Sequence, residues 1–152
     1  MPIFSEQTLR MLQNAGWSEF YRYDISKYEK VYERAGCAPP SKVKEFMLSF
    51  GGLYFTVPGP RSAKSVTGFD FNPVKVLQDI YVCSDYEFIS EQVGLPVSPA
   101  YIIGSLHGIP AELLMVSDGK IYAYYDQILL KIGDSGEDAI EAMAIGRQFV
   151  KL

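Results

Sequence analysis

The side chains able to do covalent or proton-transfer chemistry are few in this chain. There is one histidine, His107, so any Ser/His/Asp or Cys/His relay has to use it as the base. It stands beside Gly108 in what the pattern reads as a connection between two strands, and no GxSxG turn presents a nucleophile to it. That context fits an exposed turn histidine. The two cysteines, Cys37 and Cys83, form no CxxC pair and no Cys/His cluster. They give neither zinc-ligand spacing nor a disulfide framework, and read as free thiols in a reducing compartment. Asp24, Asp70, Asp79, Asp85, Asp118 and Asp126 are scattered along the chain, so an acid–base pair would have to be assembled by the fold. Gly51-Gly52 and Gly133-Asp134-Ser135-Gly136 match neither a dinucleotide fingerprint nor a phosphate loop, although the second precedes a helix, where backbone N–H groups can hold an anion. The expectation from this set is a protein that is not an enzyme and uses neither metal nor cofactor.

Composition sharpens that expectation. With 152 residues, 48% of them hydrophobic and 21% charged, the chain can bury a core, and it is expected to form one domain over 1–152. A net charge of −4 disfavours direct binding to nucleic acid, which needs clustered Lys and Arg, and permits a basic protein partner. No basic-then-apolar segment opens the chain, and no apolar run approaches the ~18 residues of a membrane helix, so a cytoplasmic location with no membrane partner is expected. The 11 Tyr and 9 Phe suit half-buried sheets and binding surfaces alike, because tyrosine packs and still donates a hydrogen bond.

The elements that would position these groups are organised around Val43 to Gly59. Val43, Phe46, Met47 and Phe50 fall on one face of a helix that Ser41 is expected to cap. Gly51-Gly52 stops it, with Gly51 expected in the left-handed conformation. Leu53, Phe55 and Val57 then alternate with Tyr54 and Thr56, so the period changes from 3.6 to 2 and a helix runs directly into a strand. Ahead of this, Ser5 to Ala15 reads as a helix capped by Ser5, with Leu9 and Leu12 inward and Met11 at the edge of that face. Trp17 follows as a core plug. Ser26-Lys27-Tyr28-Glu29 fits a capping box for a second helix to about Ala35, closed by Gly36. Pro58 to Lys64 reads as a loop, Ser65 to Phe71 as a strand antiparallel to the first, Asn72-Pro73 as the start of a helical turn, and Ser84 to Val93 as a capped helix. Strands follow over Ala100 to Leu106, Ala111 to Val116, Ile121 to Tyr125 and Ile128 to Ile132, with Asp118-Gly119 as a hairpin turn. Ser135 caps a last helix with Ala139, Ile140, Met143 and Ala144 inward. The class is α+β, with a mostly antiparallel sheet of about five to six strands and helices packed on one face.

Alternation places Leu53, Phe55 and Val57 on one face of that sheet. It places Tyr54, Thr56, Asp70, Glu112, Tyr122, Tyr124 and Lys131 on the other. The second set is aromatic enough to anchor a partner and charged enough to stay wet, so Tyr54, Asp70, Glu112, Tyr122 and Tyr124 are the expected partner-binding residues. The competing reading is a plain solvated face whose tyrosines pack on one another. On the first reading, replacing Tyr122 and Tyr124 together weakens partner binding and spares the fold.

These residues resemble a known family. Ala15-Gly16-Trp17, Glu45-Phe46 leading to Phe50-Gly51-Gly52-Leu53, Phe69-Asp70-Phe71-Asn72-Pro73, Asp118-Gly119-Lys120-Ile121-Tyr122, and Gly133 with Glu137-Asp138-Ala139-Ile140 follow the order seen in the SUKH superfamily, closest to its third subfamily of bacterial immunity proteins. The match spans nearly the whole chain. It departs at Ile102-Ile103-Gly104, where a proline is expected before the Ile-Gly pair. The resemblance implies an α+β fold and a non-enzymatic role, in which the protein binds a cognate polymorphic toxin, often a nuclease or deaminase, and blocks its active site. It supplies no catalytic residues. A cytosolic protein- or peptide-binding adaptor of the same fold is the alternative.

Overall fold

A computed structural model describes residues 4–34, 38–57, 67–72, 100–108, 111–125, 128–147 and 149–151. Within them lie helices α1 (Glu6–Asn14), α2 (Ser26–Arg34), α3 (Ser41–Phe50) and α4 (Gly136–Ile145). The strands are β1 (Tyr54–Thr56), β2 (Gly68–Asp70), β3 (Ala100–His107), β4 (Glu112–Val116), β5 (Ile121–Tyr125), β6 (Ile128–Gly133) and β7 (Val150–Lys151). The seven strands form one sheet in sequential order, every neighbour antiparallel. The fold is therefore α+β with one strand more than the sequence pattern gave. That strand, β7, is two residues long, too short for a period-2 pattern to register.

Local signals account for most of these elements. In α3, Val43, Phe46, Met47 and Phe50 are all buried, as their spacing requires. Asp118-Gly119 turns β4 into β5 with Gly119 at φ 96°, and Val116 N–H donates to the Lys120 carbonyl across the turn at 3.1 Å. Ser135 caps α4 by accepting from Asp138 N–H at 3.1 Å, and Ala139, Ile140, Met143 and Ala144 face the core. Ser5 caps α1 likewise, accepting from Thr8 N–H.

Four local details differ from the pattern. The inward side of α1 is Thr8, Met11 and Leu12, with Leu9 half-buried, because Thr8 is held by Glu141 of α4 through a 2.8 Å hydrogen bond. Ile25 occupies the N-cap of α2, its carbonyl accepting from Glu29 N–H at 2.9 Å, and Asp24 just ahead of it accepts through Oδ1 from both Ser26 N–H (3.0 Å) and Ser26 Oγ (2.6 Å), so Ser26 is the first helical residue. Pro40 occupies the N-cap of α3 with no side-chain bond, and Ser41 is inside the helix. At the end of α3 the left-handed residue is Gly52 (φ 80°), while Gly51 is extended. The expected loop at Pro58 to Lys64, the start of the strand at Ser65, the turn beginning at Pro73, the helix over Ser84 to Val93, the end of α2 at Ala35-Gly36 and both cysteines lie outside the described residues.

One contiguous core joins the layers. Phe46 of α3 meets Phe71 edge-on at 4.9 Å, Phe71 meets Phe55 of β1 at 5.6 Å, and Phe55 stacks on Phe69 of β2 at 4.7 Å. Trp17 stacks on Phe50 at 5.6 Å and donates its indole N–H to the Ser49 carbonyl, which is the packing role expected of it. From α2, Tyr28 donates its hydroxyl proton to the Ile102 carbonyl and Tyr32 accepts from the Ile102 N–H, so the buried tyrosines clamp one residue of β3 on both its polar backbone groups. Beside that clamp the β3–β4 register shifts between Ile102 and Gly104, a β-bulge at Ile103. The bulge falls where the sequence departs from the SUKH pattern. Gly104 is pressed against the Asp70 and Phe71 backbone, where a Cβ would collide.

Candidate functional site

Strand register assembles the site. Tyr54 faces Asp70, Asp70 faces Ser105, Ser105 faces Glu112, Glu112 faces Tyr124, and Tyr124 faces Leu129. Directly opposed residues share a face, so Tyr54, Asp70, Glu112 and Tyr124 form one row across five strands. Thr56, Gly68 and His107 make the adjacent row on the same face.

At the β1–β2–β3 end this face is open and polar. Tyr54 is 58% exposed. Its hydroxyl accepts from the Asn72 side-chain amide at 2.8 Å. Asp70 is only 7% exposed, and its two carboxylate oxygens are spoken for: Oδ1 accepts from Asn72 N–H at 3.0 Å and Oδ2 lies 2.7 Å from His107 Nε2. The tilted rings of Tyr54 and His107 sit 6.4 Å apart. His107 is therefore the last residue of β3 rather than a turn residue. It lies opposite Gly68, and its orientation is fixed by a buried carboxylate. Neither His107 nor Asn72 stood among the expected contact residues. Phe69 to Pro73 was quoted as a motif, but nothing in the linear pattern showed that Asp70 and His107, 37 positions apart, would touch.

A carboxylate gripping an imidazole is two thirds of a nucleophile–base–acid relay. The missing third is a hydroxyl or thiol on the other ring nitrogen, and none hydrogen-bonds His107 Nδ1 among the described residues. The arrangement as it stands fixes a flat, polar, partly aromatic surface. Such a surface suits recognition: rigid side chains lose little conformational freedom on binding.

Towards β4–β6 the same face closes over. Tyr122 is 4% exposed, Leu114 opposite it 3%, and Leu129 0%. Burial pushes the Tyr122 hydroxyl pKa up. Tyr122 thus lies on the expected face but beneath the surface. Glu112 and Tyr124 are half-buried at the boundary between the closed and open parts. Lys131, opposite Tyr122, has turned to Asp134 at 2.6 Å.

A separate cleft of 390 Å³ lies between α3, the β4–β5 turn and the start of α4. The anion site considered at Asp134-Ser135-Gly136 opens here, but the chain's own side chains fill it. Asp138 Oδ2 accepts from Asp134 N–H at 3.0 Å, Ser135 Oγ takes Asp138 N–H, and Glu45, Asp118, Asp134 and Glu137 outnumber Lys42 in the lining of the cleft. Among the described residues no group of three or more His, Cys, Asp or Glu side chains could hold a metal ion, and no helix is long and apolar enough to cross a membrane.

No curated protein and no solved structure matches the chain. A family model does: that of the SUKH-3 immunity proteins, over residues 4–146. The matched span runs from α1 through α4 and includes every strand of the row described above. The chain therefore belongs to the SUKH-3 immunity protein family.

Proposed function

We propose that this chain is a cytoplasmic bacterial immunity protein that binds one cognate polymorphic toxin, a nuclease or a deaminase, and neutralises it by covering its active site. It works by contact, as a single domain, without turnover. The observation that carries this reading, together with the family, is the open end of the cross-strand row: Tyr54 at the rim, Asp70, Asn72 and His107 locked behind it, and Glu112 and Tyr124 continuing across the sheet. Toxins that act on nucleic acid present Lys and Arg around their clefts to neutralise phosphate. A tyrosine-bearing face with Glu112 at its boundary, on a chain of net charge −4, suits such a rim better than it suits nucleic acid. In this reading Tyr54, Glu112 and Tyr124 touch the toxin, Asp70 positions Tyr54 and His107 through Asn72 and its own carboxylate, and Tyr122 supports Tyr124 from below.

The test is co-expression with the toxin domain encoded beside this chain. Survival of the cells, and a one-to-one complex that co-purifies, are the expected results. Survival lost with Tyr54→Ala in a protein of unchanged fold ties neutralisation to the row. Co-purification with no protection makes the chain an adaptor rather than an immunity protein.

A further inference from the structure

Residues Trp17 to Asp24 form a strap between α1 and α2, and nearly every residue in it is tied down. Trp17 donates to the Ser49 carbonyl at 3.0 Å. Ser18 Oγ accepts from Phe20 N–H at 3.2 Å, and the Ser18 carbonyl from Tyr21 N–H at 3.0 Å. Tyr21 Oη donates to the Gly51 carbonyl at 2.6 Å, and Tyr23 N–H to the Leu48 carbonyl at 2.8 Å. The Arg22 guanidinium turns back on the strap and donates to the Tyr21 carbonyl at 2.7 Å. Asp24 holds the start of α2 through Ser26. The exception is the Phe20 side chain, 82% exposed.

A phenyl ring this exposed on a pinned loop contributes little to the fold, because it buries little apolar surface. What it offers is an anchor whose backbone is already ordered, which lowers the entropic cost of docking. Its location supports that use. Of the five large hydrophobic residues exposed among the described residues, three lie in this neighbourhood: Phe20 itself, Leu48, whose carbonyl holds the strap, and Tyr54. Tyr23 connects them. Its ring packs where a Cβ on Gly51 or Gly52 would lie, which keeps those positions glycine, and its hydroxyl pKa is pushed up by burial first and then by the nearby Asp24 and Tyr54. Glu19, next to Phe20 in the chain, is exposed, whereas the Arg22 guanidinium donates to backbone carbonyls and the Asp24 carboxylate is hydrogen-bonded to Ser26 with Lys27 and Lys30 nearby.

We infer that the partner surface extends from Tyr54 over the Gly51-Gly52 turn to Phe20, and that Phe20 inserts into an apolar pocket of the partner protein rimmed by Lys or Arg. This rests on the proposed toxin-binding reading and adds a second contact to it. The pocket is apolar because a phenyl ring fills it, and basic at its rim because the exposed Glu19 stands next to Phe20.

The experiment is titration of the purified chain with the toxin domain encoded beside it, comparing wild type, Phe20→Ala, Phe20→Trp, Glu19→Lys and Tyr54→Ala. Phe20→Ala is expected to weaken binding about thirtyfold or more with an unchanged melting temperature, the scale of a hot-spot truncation. Phe20→Trp is expected to retain most of the affinity, and Glu19→Lys to weaken binding and slow association. Wild-type affinity in Phe20→Ala with loss in Tyr54→Ala overturns the strap contact and leaves the row standing. Loss in Phe20→Ala with wild-type affinity in Tyr54→Ala supports the strap and overturns the row. Wild-type affinity in both, or no binding by the wild type, overturns both. Unchanged binding by Glu19→Lys overturns the basic rim.

Discussion

The two ends of one sheet face behave oppositely. At β1–β3 the face carries Tyr54, Thr56, Asp70, Ser105 and His107, and its rim is open to solvent. At β4–β6 the same face carries Leu114, Tyr122 and Leu129, all buried. Alternation along a strand decides which face a side chain joins; it does not decide whether that face is covered. The tyrosines illustrate the difference. Tyr54 and Tyr122 lie on the same side of the sheet, yet one is 58% exposed and the other 4%. The open end can offer contacts to a partner, while the closed end holds the sheet together.

Replacing residues at each end tests that division, and the largest effect belongs to the closed end. Tyr122→Ala empties a buried site and is expected to cost about 3–5 kcal/mol, a fall in melting temperature of roughly 6–20 °C. Urea or thermal unfolding reads this directly, and a loss below ~1 kcal/mol would break the comparison. The expectation reverses what alternation alone suggests: with Tyr122 buried, the Tyr122/Tyr124 double replacement is expected to destabilise the fold.

Asp70→Ala comes next. It removes the acceptor for Asn72 N–H and His107 Nε2 from a nearly buried position, at a cost of roughly 1–3 kcal/mol. It also releases Tyr54 and His107, so toxin affinity is expected to fall more than for an equally destabilising change elsewhere.

Glu141 provides that elsewhere. It lies on α4, away from the face, and accepts from Ser5 N–H, Ser5 Oγ and Thr8 Oγ1 at 2.8–2.9 Å, tying α1 to α4. Partial burial opposes its ionisation, but those hydrogen bonds outweigh it and hold the carboxyl below its usual 4.5. A pKa lower in the folded than in the unfolded state stabilises the protein above the ordinary glutamate range, and that stabilisation is lost as pH falls through the lower folded value. Glu141→Gln is therefore expected to cost about 1 kcal/mol at neutral pH, discounted for its exposure, with the gap from wild type closing on acidification. Toxin affinity is unchanged. A loss of affinity matching that of Asp70→Ala would show that the row has no special role.

The smallest effect on stability is expected for Tyr54→Ala, within about 0.5 kcal/mol as for other exposed positions. Its toxin affinity is expected to fall about tenfold or more, as for a contact residue at an interface. Calorimetric titration and melting of the same sample separate the two quantities.

Much of the fold was legible because short-range chemistry specifies it. Ser5 and Ser135 cap their helices, Asp118-Gly119 makes its hairpin, and the stripe of α3 is buried as spaced. Misreadings of one or two residues arose where neighbouring positions offered the same chemistry. Asp24 and Ser26 can both hold orphan N–H groups, and Asp24 does because its carboxylate reaches two donors on Ser26, which puts Ser26 inside the helix. Gly51 and Gly52 can both adopt a positive φ, and Gly52 does, with Tyr21 and Tyr23 packed against the turn.

The site was half legible for a different reason. The sequence by itself determined the class, most of the strands and the side of the sheet on which Tyr54, Asp70, Glu112, Tyr122 and Tyr124 lie, because period, caps and turns act over a few residues. Only the tertiary structure decided that Asp70 grips His107, that Tyr122 is sealed while Tyr54 is open, and that Phe20 stands alone on a pinned strap. Those outcomes depend on which distant segments meet and on where the covering layer ends, and both are set by the packing of the whole chain rather than by any stretch of it.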